Sequence, residues 1–273
     1  MRDHRFVFVG GLHRSGTTLL ERCLAEHPLL SGLSDTPSPA DEGQHVQKVY
    51  RSAKPYGGPG RFAFSPEAHL TEDSALVTQE SRERIFASWS PYWDLECPYL
   101  LEKSPPNLIR MRFLQALFPA AFFVVLTRHP IPVSYATQGF RTRASWFRRR
   151  MRFGDLMRHW VVAHRLFEHD EPYIENLIVV RFERLLQEPD ACLRDVYEFL
   201  GVEAWPRERE VRPYGNERHF ERWRTETRSP RLATSLELLR LEFEPQVRDL
   251  GYSLEDLDFV ADGYMRSALN SRT

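Results

Sequence analysis

An eight-residue segment, Gly11-Leu12-His13-Arg14-Ser15-Gly16-Thr17-Thr18, sits between a short apolar run and an amphipathic one, and it limits the fold more than any other stretch of the chain. Phe6-Val7-Phe8-Val9 is β-branched and aromatic, which predicts a buried strand ending at Gly10-Gly11. From Thr17 the period changes: Leu19, Leu20, Cys23 and Leu24 recur at helical spacing, with a stop at His27-Pro28. The spacing of Gly11 and Gly16 between these two elements is that of a phosphate-binding turn. Glycines let the backbone curl until successive N–H groups point inward, and the start of the following helix adds partial positive charge. A nucleoside triphosphatase carries lysine where this chain has Thr17, whereas here the cation, Arg14, lies inside the turn. The segment predicts a phosphate site that is not built for ATP.

The rest of the chain repeats the strand-then-helix order. Residues 100–102 predict a second strand running into Lys103-Ser104-Pro105-Pro106, and residues 107–118 a helix. Residues 121–126 form a fully apolar strand, and residues 177–180 another, followed by a helix over 189–200 that stops at Gly201. Residues 31–43 and 55–60, rich in Ser, Pro, Asp and Gly, predict loops. This alternation argues for an α/β, P-loop-like three-layer fold: a central parallel sheet flanked by helices, with helical insertions. In such sheets ligands sit at the carboxyl ends of the strands. A length of 273 residues with 42% hydrophobic content supports one large core. We expect a single domain over 1–273, with a nucleotide-binding core over about 5–200 and a helical part over about 201–273.

Charge excludes several partners. A formal net charge of -1 gives no global field for nucleic acid or anionic lipid, so an anion site must be local. The arginine cluster over 141–152 stands in a chain with no overall basic excess and reads as a solvated helix face. No run of 18 apolar residues occurs, and the N-terminal apolar run is too short for a signal peptide, so the expected location is the cytoplasm with no membrane span. Cys23, Cys97 and Cys192 are widely spaced and form no C-x-x-C pair, which predicts reduced, buried thiols and no zinc or redox centre.

A second cation stands at a strand end. Magnesium-dependent nucleotide enzymes usually end a later core strand in aspartate, yet the apolar strand here runs into Thr127-Arg128-His129-Pro130. That end suits another phosphate better than a metal. Together these residues resemble the sulfotransferase family that uses 3′-phosphoadenosine 5′-phosphosulfate (PAPS), particularly the bacterial branch related to the tyrosylprotein and heparan sulfate enzymes. Three stretches carry the resemblance: His13-Arg14-Ser15-Gly16-Thr17-Thr18 is similar to the 5′-phosphosulfate loop, Glu102-Lys103-Ser104-Pro105 to a catalytic-lysine segment, and Arg128-His129-Pro130 to the 3′-phosphate motif. The resemblance implies a fold related to nucleotide kinases, PAPS as donor, and no metal. One departure stands out: the family usually places serine eight residues after the 3′-phosphate arginine, where this chain has Ala136. The hydroxyl partner of the 3′-phosphate is then Ser134 or Thr137. On a helix opening at Pro130 the angular offset favours Thr137, and the Val-Ser-Tyr wording favours Ser134.

In-line sulfuryl transfer needs cations at the leaving phosphate, and Arg14 and Lys103 are the candidates. Lys48, Lys54 and Lys103 are the only lysines among 37 basic residues, which makes a lysine at this strand end conspicuous. A compact ammonium follows the bridging oxygen as charge develops. The acceptor must lose a proton, and Asp35, Asp41, Glu42 and His45 lie in the segment after the first helix; Glu42 is the first choice as base, with Asp35 and His45 as alternatives. Trp89, Tyr92 and Trp93 form either an acceptor pocket or core. Arg181-Phe182-Glu183 is placed to brace the sheet, and Arg218 and Trp223 to close over the nucleotide. A small-molecule kinase and an inactive nucleotide-binding module are the competing readings. The acceptor, whether small molecule, carbohydrate or peptide, and the oligomeric state are not written in these residues.

Overall fold

The computed structural model describes residues 4–139, 151–212 and 215–261. Arg141 and the cluster up to residue 150 lie outside the described residues, as does Tyr214. Five parallel strands form one sheet: β1 (Arg5–Gly11), β2 (Leu30–Gly32), β3 (Tyr99–Lys103), β4 (Phe122–Thr127) and β5 (Leu177–Arg181), in the order β2-β3-β1-β4-β5. The chain thus leaves central β1 and returns first on one side, at β3, and then on the other, at β4. Register brings Val9 beside Lys103 and Gly11 beside Leu126, so the turn after β1, the end of β3 and the end of β4 share one edge. Ligands of open parallel sheets bind at such a reversal.

Every residue of β1 from Phe6 onward is buried because both faces are covered. Alternation divides it. Phe6 and Phe8 enter an aromatic layer with Trp89, Trp93 and Phe118, beneath α2 (Gln79–Trp89) and α3 (Met111–Leu117). Val7 and Val9 enter an aliphatic layer with Leu20 and Leu24 of α1 (Thr17–Leu24) and Val196 of α7 (Pro189–Leu200). Trp89 and Trp93 are therefore core, not pocket wall. Their indole N–H groups donate to Gly43 O at 3.0 Å and Leu101 O at 2.9 Å, so burial leaves neither unpaired. Cys23 and Cys192 are buried thiols in the aliphatic layer, whereas Cys97 is half-buried; none of the three is bridged.

Two expectations need correction. The helix over 107–118 is divided: a 3-10 turn, Pro105–Ile109, precedes α3, and Arg110 at φ -136° separates them. Pro105 and Pro106 supply no N–H, so the first bonds formed are the short-span Asn107 N to Ser104 O and Arg110 N to Asn107 O. The loop over 31–43 contains part of β2, whose three residues pair with β3 as a sheet edge. Three residues are too few for an alternation to be seen.

On the β4 side, α4 (Pro130–Gln138) and α5 (Phe153–Asp170) pack together, and α6 (Phe182–Gln187) follows β5 directly. Among the described residues after 201, α8 (Glu217–Thr227) packs on α4 and α9 (Ala233–Asp249) on α5.

Candidate active site

The turn after β1 is tied from inside and behind. Ser15 donates to Leu12 O twice, from its backbone N–H at 3.0 Å and from Oγ at 2.6 Å. Gly16 caps α1 at φ 102°, with its missing Cβ replaced in space by Phe182: a side chain there would start 2.4 Å from that ring. Arg14 also takes positive φ, at 73°, which costs a non-glycine residue about 1–3 kcal/mol and is held by neighbouring contacts. One such contact is Arg128 Nη1 donating to Arg14 O at 2.8 Å. Thr17 and Thr18 open α1, where the first-turn N–H groups have no helical carbonyl before them. The result is an anion cradle with the Arg14 side chain exposed at its rim.

Glu42 and Lys103 are brought together by what their neighbours do. Glu102, inside β3, is fully buried and accepts Gly43 N at 3.0 Å, Ser104 Oγ at 2.5 Å and Asn107 Nδ2 at 2.6 Å. Ser104 Oγ accepts Gln44 N at 3.0 Å. Residues 102 and 104 thus grip the backbone of 43 and 44, and 103 is left facing 42. Lys103 Nζ lies 3.5 Å from Glu42 Oε1 and donates to Ala40 O at 2.8 Å. Gln44 Nε2 holds the other carboxylate oxygen at 2.6 Å, and His45 Nε2 stands 3.7 Å from it. Gly43 is required for this approach: a Cβ would fall 2.6 Å from Glu102 Cγ and 2.8 Å from Trp89 Nε1. Burial raises Glu102 above the usual carboxylate range, opposed by its bonds from Ser104 and Asn107 and by the charge of Lys103.

The other acids of this segment are placed differently. Asp41 accepts Thr36 N at 2.9 Å and Thr36 Oγ1 at 2.8 Å, which fixes the turn. Asp35 is exposed, at φ 56°. Glu42 does not open an α-helix; it caps the 3-10 turn Gly43–His45.

Arg128 is nearly buried, 8% exposed, with its guanidinium 4.2 Å from the centre of the Phe182 ring. Besides Arg14 O it donates to Asn216 Oδ1 at 2.8 Å and Gly215 O at 2.7 Å. Burial lowers it to about 10, with the charge of Glu183 opposing. Glu183 in turn accepts His129 N at 3.1 Å, Asn216 Nδ2 at 2.8 Å and Tyr252 Oη at 3.1 Å. Arg128 therefore braces the turn after β1 from behind. We expect Arg14→Ala to weaken binding of adenosine 3′,5′-bisphosphate with an unchanged Tm, and Arg128→Ala to weaken it and lower Tm too, since a lost bond of a charged group costs about 1.5–3 kcal/mol. Calorimetry with thermal scans checks both; unchanged affinity in both variants removes them from the phosphate site.

Ser134 and Thr137 are buried on one side of α4 and, together with His13, line a small, partly open cleft. Arg128 is not part of that lining. Trp223 is core, stacked on Phe153 at 5.5 Å, and Arg218 is exposed. Sequence reasoning missed the grip of Glu102, Ser104 and Gly43, for which the signal was a charged residue within an otherwise apolar strand, and it missed Asn216, which no motif marks. Among the described residues no group of three or more His, Cys, Asp or Glu could hold a metal ion.

The turn after β1, the end of β3 with Lys103 and Glu42, and Arg128 at the end of β4 meet at the sheet reversal of an α/β fold, where ligands of such sheets bind. The chain belongs to the sulfotransferase family, whose pattern it matches over residues 7–207. A sulfotransferase from Mycobacterium avium has a similar fold, with a TM-score of 0.53 at 13% identity over 90% of this chain and 76% of that one. A sulfotransferase domain from the curacin biosynthetic pathway gives 0.50 at 18% identity, over 86% and 98%. By sequence the chain is similar to zebrafish protein-tyrosine sulfotransferase 1, 21% identical over 203 residues, and to an uncharacterized protein of Aquifex aeolicus, 27% identical over 210. These matches span 74% and 71% of this chain but 54% and 25% of the relatives.

Proposed function

We propose that the protein transfers the sulfuryl group of PAPS to an acceptor hydroxyl or amine. The observation that supports this best is the placement of Glu42 against Lys103 beside the turn formed by His13, Arg14, Ser15, Gly16, Thr17 and Thr18. In this reading the turn holds the 5′-phosphosulfate through its N–H groups, and Arg128 meets the 3′-phosphate. Glu42 takes the proton as the acceptor heteroatom attacks sulfur. The bond between sulfur and the bridging oxygen breaks, and the electron pair stays on the 5′-phosphate of the departing bisphosphate. Lys103 and Arg14 stabilise that charge. No step requires a metal.

The same reading treats residues 1–273 as one domain working in the cytoplasm without nucleic acid. Among the described residues no helix is long and apolar enough to cross a membrane. The test is a titration of adenosine 3′,5′-bisphosphate against ATP with magnesium, followed by transfer of labelled sulfate from PAPS in excess chelator. Preference for the bisphosphate and turnover in chelator are expected. Preference for ATP with strict magnesium dependence returns the protein to the kinases, and binding without turnover across an acceptor panel makes it an inactive nucleotide module.

A further inference from the structure

Glu102 takes no part in the proposed reaction, yet it is fully buried one residue before Lys103. Burying an acid is costly unless donors meet it, and here the donors can be counted. Gly43 N and Asn107 Nδ2 can only donate. Ser104 Oγ carries one hydrogen, and because it accepts Gln44 N, that hydrogen goes to Glu102 Oε1. The amide of Asn107 is oriented by Val9 O, which lies 3.2 Å from the same Nδ2. Each of the three bonded atoms therefore gives a hydrogen to Glu102, and the network closes around an ionised carboxylate.

What this carboxylate holds is the backbone on which Glu42 is mounted. The N–H of Gly43 belongs to the peptide group that leaves Glu42, so fixing Gly43 N fixes the ψ of Glu42, at 115°. Trp89 Nε1 holds the next carbonyl, Gly43 O, at 3.0 Å. Gln44 continues the hold, with its backbone N–H on Ser104 Oγ and its side-chain Nε2 on Glu42 Oε2 at 2.6 Å. At the other end of the segment Lys103 Nζ holds Ala40 O at 2.8 Å. Glu42 is thus carried between two anchors that come from adjacent residues of β3. The same network reaches β1, since Val9 O accepts both Asn107 Nδ2 and Ser104 N, and Val9 stands beside Lys103 in the sheet. Glu102 ties the segment bearing the base to the strands bearing the lysine and the phosphate turn.

We propose that Glu102 is a positioning residue for sulfuryl transfer, acting through Glu42 by setting its carboxylate against Lys103, and touching neither donor nor acceptor. The proposal rests on the sulfotransferase reading, with Glu42 as base. A glutamine at 102 discriminates. It keeps the shape, but if its oxygen stays on Gly43 N and Ser104 Oγ, its N–H group faces Asn107 Nδ2, donor against donor. One end of the network must let go, and displacing a reacting group by about 1 Å costs on the order of 10²-fold in rate. Lys103 and the turn after β1 are held by the sheet itself, so donor binding should be spared.

The experiment is a double-mutant cycle of Glu102→Gln with Glu42→Gln. Transfer of labelled sulfate from saturating PAPS to phenol, N-acetylglucosamine and a tyrosine peptide is followed below the Tm of every variant, and the Kd of adenosine 3′,5′-bisphosphate is measured by calorimetry. Expected for Glu102→Gln alone is a kcat lower by about 10- to 100-fold, with a bisphosphate Kd within about twofold of wild type. In the Glu42→Gln background the same change should lower kcat by less than about threefold, because the group being positioned is already lost. Ser104→Ala, which frees Gln44 N, repeats the cycle should Glu102→Gln fail to fold, with the same coupling expected. An equal loss of kcat in both backgrounds makes the network a merely structural brace and overturns the proposal. So does near-wild-type kcat in a folded Glu102→Gln, or a bisphosphate Kd raised about tenfold, which would place its action on the donor site. A wild type that binds no bisphosphate, or transfers to none of the three acceptors, overturns the sulfotransferase reading and this proposal with it.

Discussion

Glu42→Gln is expected to lower kcat by a factor on the order of 10² or more, the range typical of removing a general base, while affinity for adenosine 3′,5′-bisphosphate stays close to wild type. The amide keeps the shape of the carboxylate, and its oxygen still accepts Gln44 Nε2, which now holds Glu42 Oε2 at 2.6 Å. What is lost is the ability to take a proton. The change also removes an ion pair, but a loose one at 3.5 Å, and Lys103 keeps its bond to Ala40 O at 2.8 Å, so the fold should survive. The control is Asp35→Asn, since Asp35 is exposed while Glu42 faces Lys103. Single-turnover rates at saturating PAPS decide between them: if Asp35→Asn abolishes transfer and Glu42→Gln behaves like wild type, the base is Asp35.

Why some of this site could be read from the chain and some could not follows from how far each signal travels. The turn at 11–18 is local: its glycines, cation and flanking periods all lie within one short stretch, and the strand and helix stand where those periods put them. The ends of β3 and β4 were legible for the same reason, each carrying a cation at or just after its last residue. The conformation of 35–42 was not. Asp35, Ala40 and Asp41 all take positive φ, at 56°, 59° and 49°, although none is glycine. Such strain, about 1–3 kcal/mol per residue, is maintained by distant partners. Thr36 holds Asp41 from nearby, but Lys103 holds Ala40 across 63 residues of chain and Glu102 holds Gly43 across 59. Periodicity carries no information about contacts of that kind. The choice between Ser134 and Thr137 failed to resolve for a related reason: the helix offset compares both with Ala136, yet the packing of α4 on α5 turns both hydroxyls into one cleft.

Lys103→Met should be the most damaging single change that leaves the phosphate turn intact. The side chain is 1% exposed, and methionine matches its unbranched stem, so the slot is refilled without the charge. An ammonium has three N–H groups. One is bonded to Ala40 O and another faces Glu42 at a longer distance; in the proposed reaction the third meets the bridging oxygen of the donor. Losing a donor that acts on developing charge typically lowers kcat by about 10²–10³. Because the bisphosphate product carries its new charge on that same oxygen, its affinity should fall as well, which separates this variant from Glu42→Gln. A purely structural lysine would behave otherwise: loosening the Ala40 segment would lower Tm and leave the bisphosphate Kd unmoved. Lys103→Arg tests the remaining alternative, that any cation suffices. A guanidinium is wider and presents a planar fork, and in a slot this closed it cannot place one N–H where the ammonium does, so rescue should be slight. Full activity in Lys103→Arg, or an unchanged bisphosphate Kd together with near-wild-type kcat in Lys103→Met, would remove Lys103 from the leaving group and leave Arg14 and the turn to carry that charge.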